Sequence, residues 1–178
     1  DNQRFSHFTQ INTKNVGKLR PTAIIQTGIT KTMEATIIEV DGVLYIEMGD
    51  NNVQAYDAVT GKELWAYSPQ LGYSNLCCGQ QARGVAVAYG KVFVAQLDGH
   101  VVALDARTGK QVWKTEHANA LPVPAYFYSF TMAPLVYDGL VLVGNAGAEW
   151  PTRGFLEALD AKTGKLVWRF STTAARSE

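Results

Sequence analysis

One eleven-residue template occurs three times in the chain, and no other feature narrows its fold so far. The copies are AYDAVTGKELW (55–65), ALDARTGKQVW (103–113) and ALDAKTGKLVW (158–168), with starts 48 and 55 residues apart. Self-similarity at such a period marks a structural repeat, each unit too small to bury its apolar face alone. Within the template an Asp precedes a Thr-Gly-Lys turn, after which a strand closes on Trp. Asp57, Asp105 and Asp160 are placed to accept hydrogen bonds from turn amides, and Gly61, Gly109 and Gly164 to supply a positive φ. Trp65, Trp113 and Trp168 offer large flat surfaces for docking against a neighbouring repeat, so these three read as structural.

Upstream of each template lies a second hairpin pattern: IIEVDGVLYIEM, VAVAYGKVFVAQ and PLVYDGLVLVGN. Each is a β-rich run about a Gly-containing turn, and two hairpins make four strands. The expected fold is all-β, a β-propeller of four-stranded antiparallel blades. Three repeats are assigned to about 31–68, 82–116 and 129–171 of one incomplete propeller domain covering 31–178, with residues 1–30 as an N-terminal segment that includes a closing strand. The chain of 178 residues is 47% hydrophobic, enough to bury a core. Basic and acidic residues number 16 each, so there is no charge excess to steer nucleic acid or an anionic membrane. Apolar runs such as GLVLVG are of strand length and no transmembrane segment is expected; no charged-then-apolar leader opens the chain, which reads as soluble with any export signal removed.

Comparison of the repeats separates scaffold from function. From turn glycine to template alanine the count is 13 in the first two repeats (Gly42 to Ala55, Gly90 to Ala103) and 19 in the third (Gly139 to Ala158). The six extra residues fall in NAGAEWPTRGF, and an insertion confined to one loop of a repeat marks a binding face. A second singularity is that the only two cysteines, Cys77 and Cys78, are neighbours. Adjacent Cα atoms are about 3.8 Å apart, below the roughly 4.4 to 6.8 Å usual for a disulfide, so a bond between them closes a strained ring. Two free thiols on opposite sides of a strand are the alternative, and the residues alone favour it.

The three templates, CC followed by ARG, and GNAGAEWPTRGF together resemble the quinoprotein alcohol dehydrogenases of the methanol and ethanol dehydrogenase type. These are eight-bladed propellers that bind pyrroloquinoline quinone (PQQ) with calcium or a lanthanide. The resemblance covers nearly the whole chain and implies a Cys77–Cys78 disulfide lying against one quinone face, hence an oxidising compartment such as a bacterial periplasm. It implies that Arg83 hydrogen-bonds the quinone oxygens, that Glu34 and Thr131 contact the cofactor, and that Ala146, Gly147 and Ala148 line it. Glu149 corresponds to a metal-ligating glutamate, with carboxylate oxygen suited to a hard cation. Glu34 and Thr131 lie 8 residues before their turn glycines and Arg83 lies 7 before its own, so all three are expected to enter the first strand of a repeat, beside the central channel.

The chain also departs from the family pattern. Gly79, Gln80 and Gln81 follow the cysteines where an acidic and then a small or branched residue are usual. Ala146 stands where Ser or Gly is frequent, and GKLRPTAIIQTG lacks a tryptophan near Pro21 to Ala23. The family's catalytic aspartate base, its further metal ligands and the tryptophan of the other quinone face belong to later blades, so no catalytic residue is assigned here. The resemblance implies a parent enzyme that oxidises primary alcohols or polyols to aldehydes or ketones and passes electrons to cytochrome c, with the isolated chain incomplete and inactive. The alternative is a non-catalytic propeller, a scaffold or binding module with the same tryptophan template, for which paired cysteines, Arg83 and the GAE loop have no use. His7, His100 and His117 lack metal-ligand spacing and receive no catalytic role.

Overall fold

The computed structural model describes residues 6–72, 76, 78–116, 128–147, 149–150 and 152–173. Its strands form three four-stranded antiparallel sheets, each a meander in chain order. The first blade contains β1 (Ile38–Val40), β2 (Val43–Met48), β3 (Asn52–Asp57) and β4 (Glu63–Tyr67). The second contains β5 (Ala86–Ala88), β6 (Lys91–Ala95), β7 (His100–Asp105) and β8 (Gln111–Glu116), and the third β9 (Leu135–Tyr137), β10 (Leu140–Gly144), β11 (Phe155–Asp160) and β12 (Leu166–Ser171). The fold is all-β, a partial β-propeller of three blades.

Local chemistry explains why each blade folds back on itself. In the template turn the Thr60 amide and hydroxyl both donate to Asp57 Oδ1 at 2.7 Å. Thr108 repeats this on Asp105 at 2.8 and 2.7 Å, and Thr163 on Asp160 at 2.7 Å twice. The threonine hydroxyls, with the turn amides, hold all three aspartates below their ordinary pKa, because every one of these bonds favours the charged carboxylate. The same register shift recurs opposite each template tryptophan, between Ala55 and Tyr56, Ala103 and Leu104, and Ala158 and Leu159.

The tryptophans join one blade to the next. Trp65 Nε1 donates to the Ala106 carbonyl at 2.9 Å, and Trp113 Nε1 to the Ala161 carbonyl at 3.3 Å. Each indole lies on the turn glycine of the following template: a Cβ at Gly109 would stand 2.6 Å from Trp65, and one at Gly164 2.7 Å from Trp113. Glycine is therefore required there both by its positive φ and by the approach of the ring. Between the first two blades, Tyr45, Val53, Ala55 and Trp65 pack on Val85, Val92, Val94, Val102 and Leu104. Between the second and third, Phe93, Ala95, Val101 and Ala103 pack on Phe130, Val141, Val143, Phe155 and Leu159. Trp168 is 39% exposed and shares the outward face of the third blade with Leu135, Tyr137, Leu166 and Phe170.

Residues 6–37 contain one 3₁₀ turn, Val16–Lys18, and no strand among those described. The three blades pair their four strands internally, so none of them offers a ladder partner to the segment described here, and no strand forms in residues 6–30 of this chain. The segment packs instead: Ile25 and Ile29 cover Ile46, Met48 and Tyr56 on the outer face of the first blade. Ala23 Cβ lies where a Cβ on Gly61 would come within 2.9 Å. That is the glycine surface on which Trp65 and Trp113 sit in the other blades, so the missing tryptophan near Pro21 to Ala23 leaves a methyl group in its place.

Candidate functional site

The segments entering the three blades run side by side at one end of the sheets. The Thr36 amide donates to the Arg83 carbonyl at 3.4 Å, and the Arg83 amide donates to the Thr131 carbonyl at 3.1 Å. One residue from each repeat is thereby tied to the next. Glu34, Arg83 and Thr131 all precede β1, β5 and β9 rather than lying in them, and in this stretch the backbones of Thr36, Arg83 and Thr131 bond from one repeat to the next. Their side chains meet as well. Arg83 Nη1 donates to Thr131 Oγ1 at 2.8 Å and to the Thr131 carbonyl at 3.3 Å, and Arg83 Nη2 stands 3.5 Å from Glu34 Oε2. Thr131 is buried at 8% exposure, whereas the Arg83 and Glu34 side chains are 53% and 41% exposed, so the cluster has a closed floor and an open side.

The enlarged loop of the third repeat reaches the same place. Ser129 and Ala146 form an isolated antiparallel bridge, with the Ala146 amide donating to the Ser129 carbonyl at 2.7 Å. This lays Ala146 and buried Gly147 beside the strand approach that carries Thr131. The Gly147 carbonyl accepts from the Trp150 amide at 2.9 Å and from Thr152 Oγ1 at 2.7 Å, so the loop is tightly turned. Glu149 at its tip is exposed and Trp150 is 40% exposed. Ala148 and Cys77 lie outside the described residues, as does His117. Cys78 is half-buried and disulfide-bonded, and no cysteine is free among the described residues. Among the described residues no group of three or more His, Cys, Asp or Glu side chains is assembled for a metal ion.

Several buried polar groups near the site were not singled out in the sequence. Glu47, 1% exposed, accepts from Asn51 Nδ2 at 2.9 Å and from the Gly84 amide, next to Arg83, at 3.0 Å. Burial pushes its pKa up to about 8 against the lowering effect of those two bonds. Asp98, also 1% exposed, faces His100 Nδ1 at 2.9 Å and accepts from the Gly72 amide at 2.9 Å, at the root of the segment that leads to the cysteines. Burial works to raise the Asp98 pKa, but the His100 ring and the Gly72 amide outweigh it and hold it below its ordinary value. Glu157 is fully buried and paired with Arg169, whose guanidinium lies 4.9 Å over the Phe155 ring. Aligning the repeats carries a signal for the first of these: Glu47 occupies the place of Ala95 and Gly144 in the other blades.

Comparison with known proteins identifies the family. The profile of the PQQ-type glucose/ethanol/alcohol dehydrogenase β-propeller domain matches residues 1–178. A quinohemoprotein alcohol dehydrogenase of Pseudomonas putida is 45% identical over 173 residues, covering 96% of this chain and 24% of that protein. The 1-butanol dehydrogenase (cytochrome c) of Thauera butanivorans is 42% identical over 160 residues, covering 88% of this chain and 23% of its own length. A europium-containing methanol dehydrogenase superposes with a TM-score of 0.81 at 36% identity, over 95% of this chain and 30% of that structure. The chain thus spans about a quarter of the length of the curated relatives it matches. With a family profile matched from end to end and three four-stranded blades joined by two docked tryptophans, the chain belongs to the PQQ-dependent glucose/ethanol/alcohol dehydrogenase family, as part of its β-propeller domain.

Proposed function

We propose that this chain supplies three blades, and much of the cofactor wall, of a dehydrogenase that oxidises primary alcohols or polyols to aldehydes or ketones with PQQ. The observation that carries this reading is the meeting of Glu34, Arg83 and Thr131, drawn from three different blades, at one end of the propeller. The donor set suits PQQ, a planar anionic quinone with carboxylate groups: a permanent cation, a hydroxyl and a close-packed glycine loop stand together. Bound PQQ supplies a two-electron acceptor for the alcohol's hydride equivalent.

Arg83 has five N–H donors and directs its Nη1 to Thr131 and its Nη2 toward Glu34, which leaves donors for the quinone oxygens. Its fixed charge there favours the more anionic, reduced cofactor. Thr131, locked by the same guanidinium, holds the rotamer of Arg83 and offers its hydroxyl to the cofactor. Gly147, with Ala146 and Ala148, keeps the wall thin enough for a flat ring to approach. A Cys77–Cys78 disulfide is assigned to one face of the ring, and Glu149 offers a single hard carboxylate to Ca²⁺ or a lanthanide, the rest of the metal site coming from groups outside the chain. Electron transfer to cytochrome c and a periplasmic location complete the proposal. They draw support from the cytochrome-linked relative and from the oxidising conditions a disulfide needs.

The test is titration of the full-length apoenzyme with PQQ in the presence of Ca²⁺ or La³⁺, followed by dye reduction with short alcohols. Saturable binding is expected, with Arg83→Ala weakening it about 10- to 100-fold, as for loss of hydrogen bonds to a charged group. No binding by the wild type, or two free thiols under denaturing non-reducing conditions, would favour a non-catalytic propeller. The 178 residues alone are expected to give no turnover, and sustained PQQ-dependent dye reduction by them would overturn that limit.

A further inference from the structure

Arg83 is only as well placed as the backbone that carries it, and that backbone is held by groups from the first and third repeats. Its carbonyl is tied to Thr36 and its amide to Thr131. The next amide, that of Gly84, donates to Glu47 Oε2 at 3.0 Å. Gly84 is buried with φ at 123°, and a Cβ there would stand 3.3 Å from the Thr36 carbonyl and 3.8 Å from Ala133 Cβ, so the segment is wedged between the entries to the first and third blades. Glu47 is itself anchored. Its Oε1 accepts from Asn51 Nδ2 at 2.9 Å. Asn51, fully buried, also donates to the Ala95 carbonyl at 3.3 Å and accepts from the Leu97 amide at 2.8 Å. The chain of bonds therefore runs from the end of β2 into the second blade and back to the residue beside Arg83.

We infer that Glu47, braced by Asn51, is a positioning residue that sets the aim of the Arg83 guanidinium at the cofactor by gripping the Gly84 amide. This rests on the PQQ reading above and extends it to a residue that touches neither substrate nor cofactor. The physical reason is that a buried N–H without an acceptor is costly, so removing the carboxyl would drive the peptide joining Arg83 and Gly84 to rotate toward another partner. Such a rotation would swing the base of the Arg83 side chain. Glutamine retains a carbonyl acceptor for the Gly84 amide in nearly the same shape, so it is the conservative replacement.

The experiment is a double-mutant cycle in the full-length enzyme, with Glu47→Leu and Glu47→Gln each made with Arg83 present and in an Arg83→Ala background. Three quantities are read: the PQQ dissociation constant from fluorescence quenching of the apoenzyme, the absorption band of the bound cofactor, and the unfolding midpoint of the apoenzyme. With Arg83 present, Glu47→Leu is expected to weaken PQQ binding about tenfold and to shift the band, while Glu47→Gln stays within about threefold of wild type. In the Arg83→Ala background Glu47→Leu should change affinity by less than about twofold, since its effect travels through the arginine. A lowered unfolding midpoint with affinity and band unchanged, or an equal loss in both backgrounds, would overturn the inference. Should Glu47→Leu fail to fold, Asn51→Ala takes its place in the cycle, with a smaller Arg83-dependent loss expected and an Arg83-independent one overturning the inference. Failure of the wild type to bind PQQ would be a different result, removing the functional reading itself.

Discussion

Glu47 is pulled two ways, and the balance has a consequence for stability. Burial raises its pKa from the ordinary carboxyl value to about 8, although Asn51 and Gly84 both stabilise the charged form. In the unfolded chain the carboxyl loses its proton near pH 4.3, about the model-peptide value for glutamate. Between that pH and about 8 the native state holds a proton that the unfolded state has released, so stability is greatest below the window and falls as pH rises through it. Glu47→Gln carries no titrating proton, and its unfolding midpoint in urea is expected to fall less between pH 5 and pH 8 than that of the wild type. Parallel profiles for the two proteins would show that Glu47 does not titrate as described. Residue by residue, the site was only partly legible. Glu34, Arg83 and Thr131 were named by the family resemblance, and counting back from the turn glycines placed them at like positions of the three repeats. Glu47 stands out in the repeat alignment, opposite Ala95 and Gly144, but its partners do not, since Gly84 lies 37 positions away in the chain.

The blade is the element that repeats, and its tryptophan is worth different amounts in different copies. Trp65 is 7% exposed, lies on Gly109 and donates to Ala106, whereas Trp168 is 39% exposed with no blade beyond it in this chain. Trp65→Ala should therefore destabilise the chain by about 3 to 5 kcal/mol, the range for truncating a buried large aromatic. Trp168→Ala should cost about 1 kcal/mol or less, since much of its surface is already in water. Chemical denaturation of the two variants beside the wild type decides the point, and equal losses would mean that the tryptophans act within their own sheet. The template made the turns legible, since Asp57, Thr60 and Gly61 bond to one another within a few residues. It did not disclose that residues 19–37 would run without a strand. Ladder pairing depends on partners elsewhere, and here Ile25 and Ile29 pack on the first blade while Gln54 Nε2 donates to the Thr27 carbonyl between them.

On the scale of the molecule, the three blades leave one broad apolar face uncovered. Leu135, Tyr137, Leu166 and Phe170 are 60%, 72%, 49% and 63% exposed, all on the side of the third blade toward which Trp168 points. Surface of this kind drives association when nothing covers it. The isolated chain is expected to associate with rising concentration in sedimentation velocity runs, and Tyr137→Ser combined with Phe170→Ser should shift it toward monomer. A chain that stays monomeric at all concentrations would show that this face is shielded in solution.

The architecture was readable in one dimension because its rules are local. Period-two strands, Asp-Thr turns and a tryptophan every blade are written in short stretches, and each stretch makes most of its hydrogen bonds to residues within the same blade. The site obeys no local rule. Glu34, Arg83 and Thr131 are about one blade apart in the chain and meet only because the blades pack face to face. The buried Glu47–Asn51–Gly84 linkage has no counterpart in the template at all. Side-chain chemistry within a hairpin decided what the blades are, and the burial of one blade's face against the next decided which of their ends became a site.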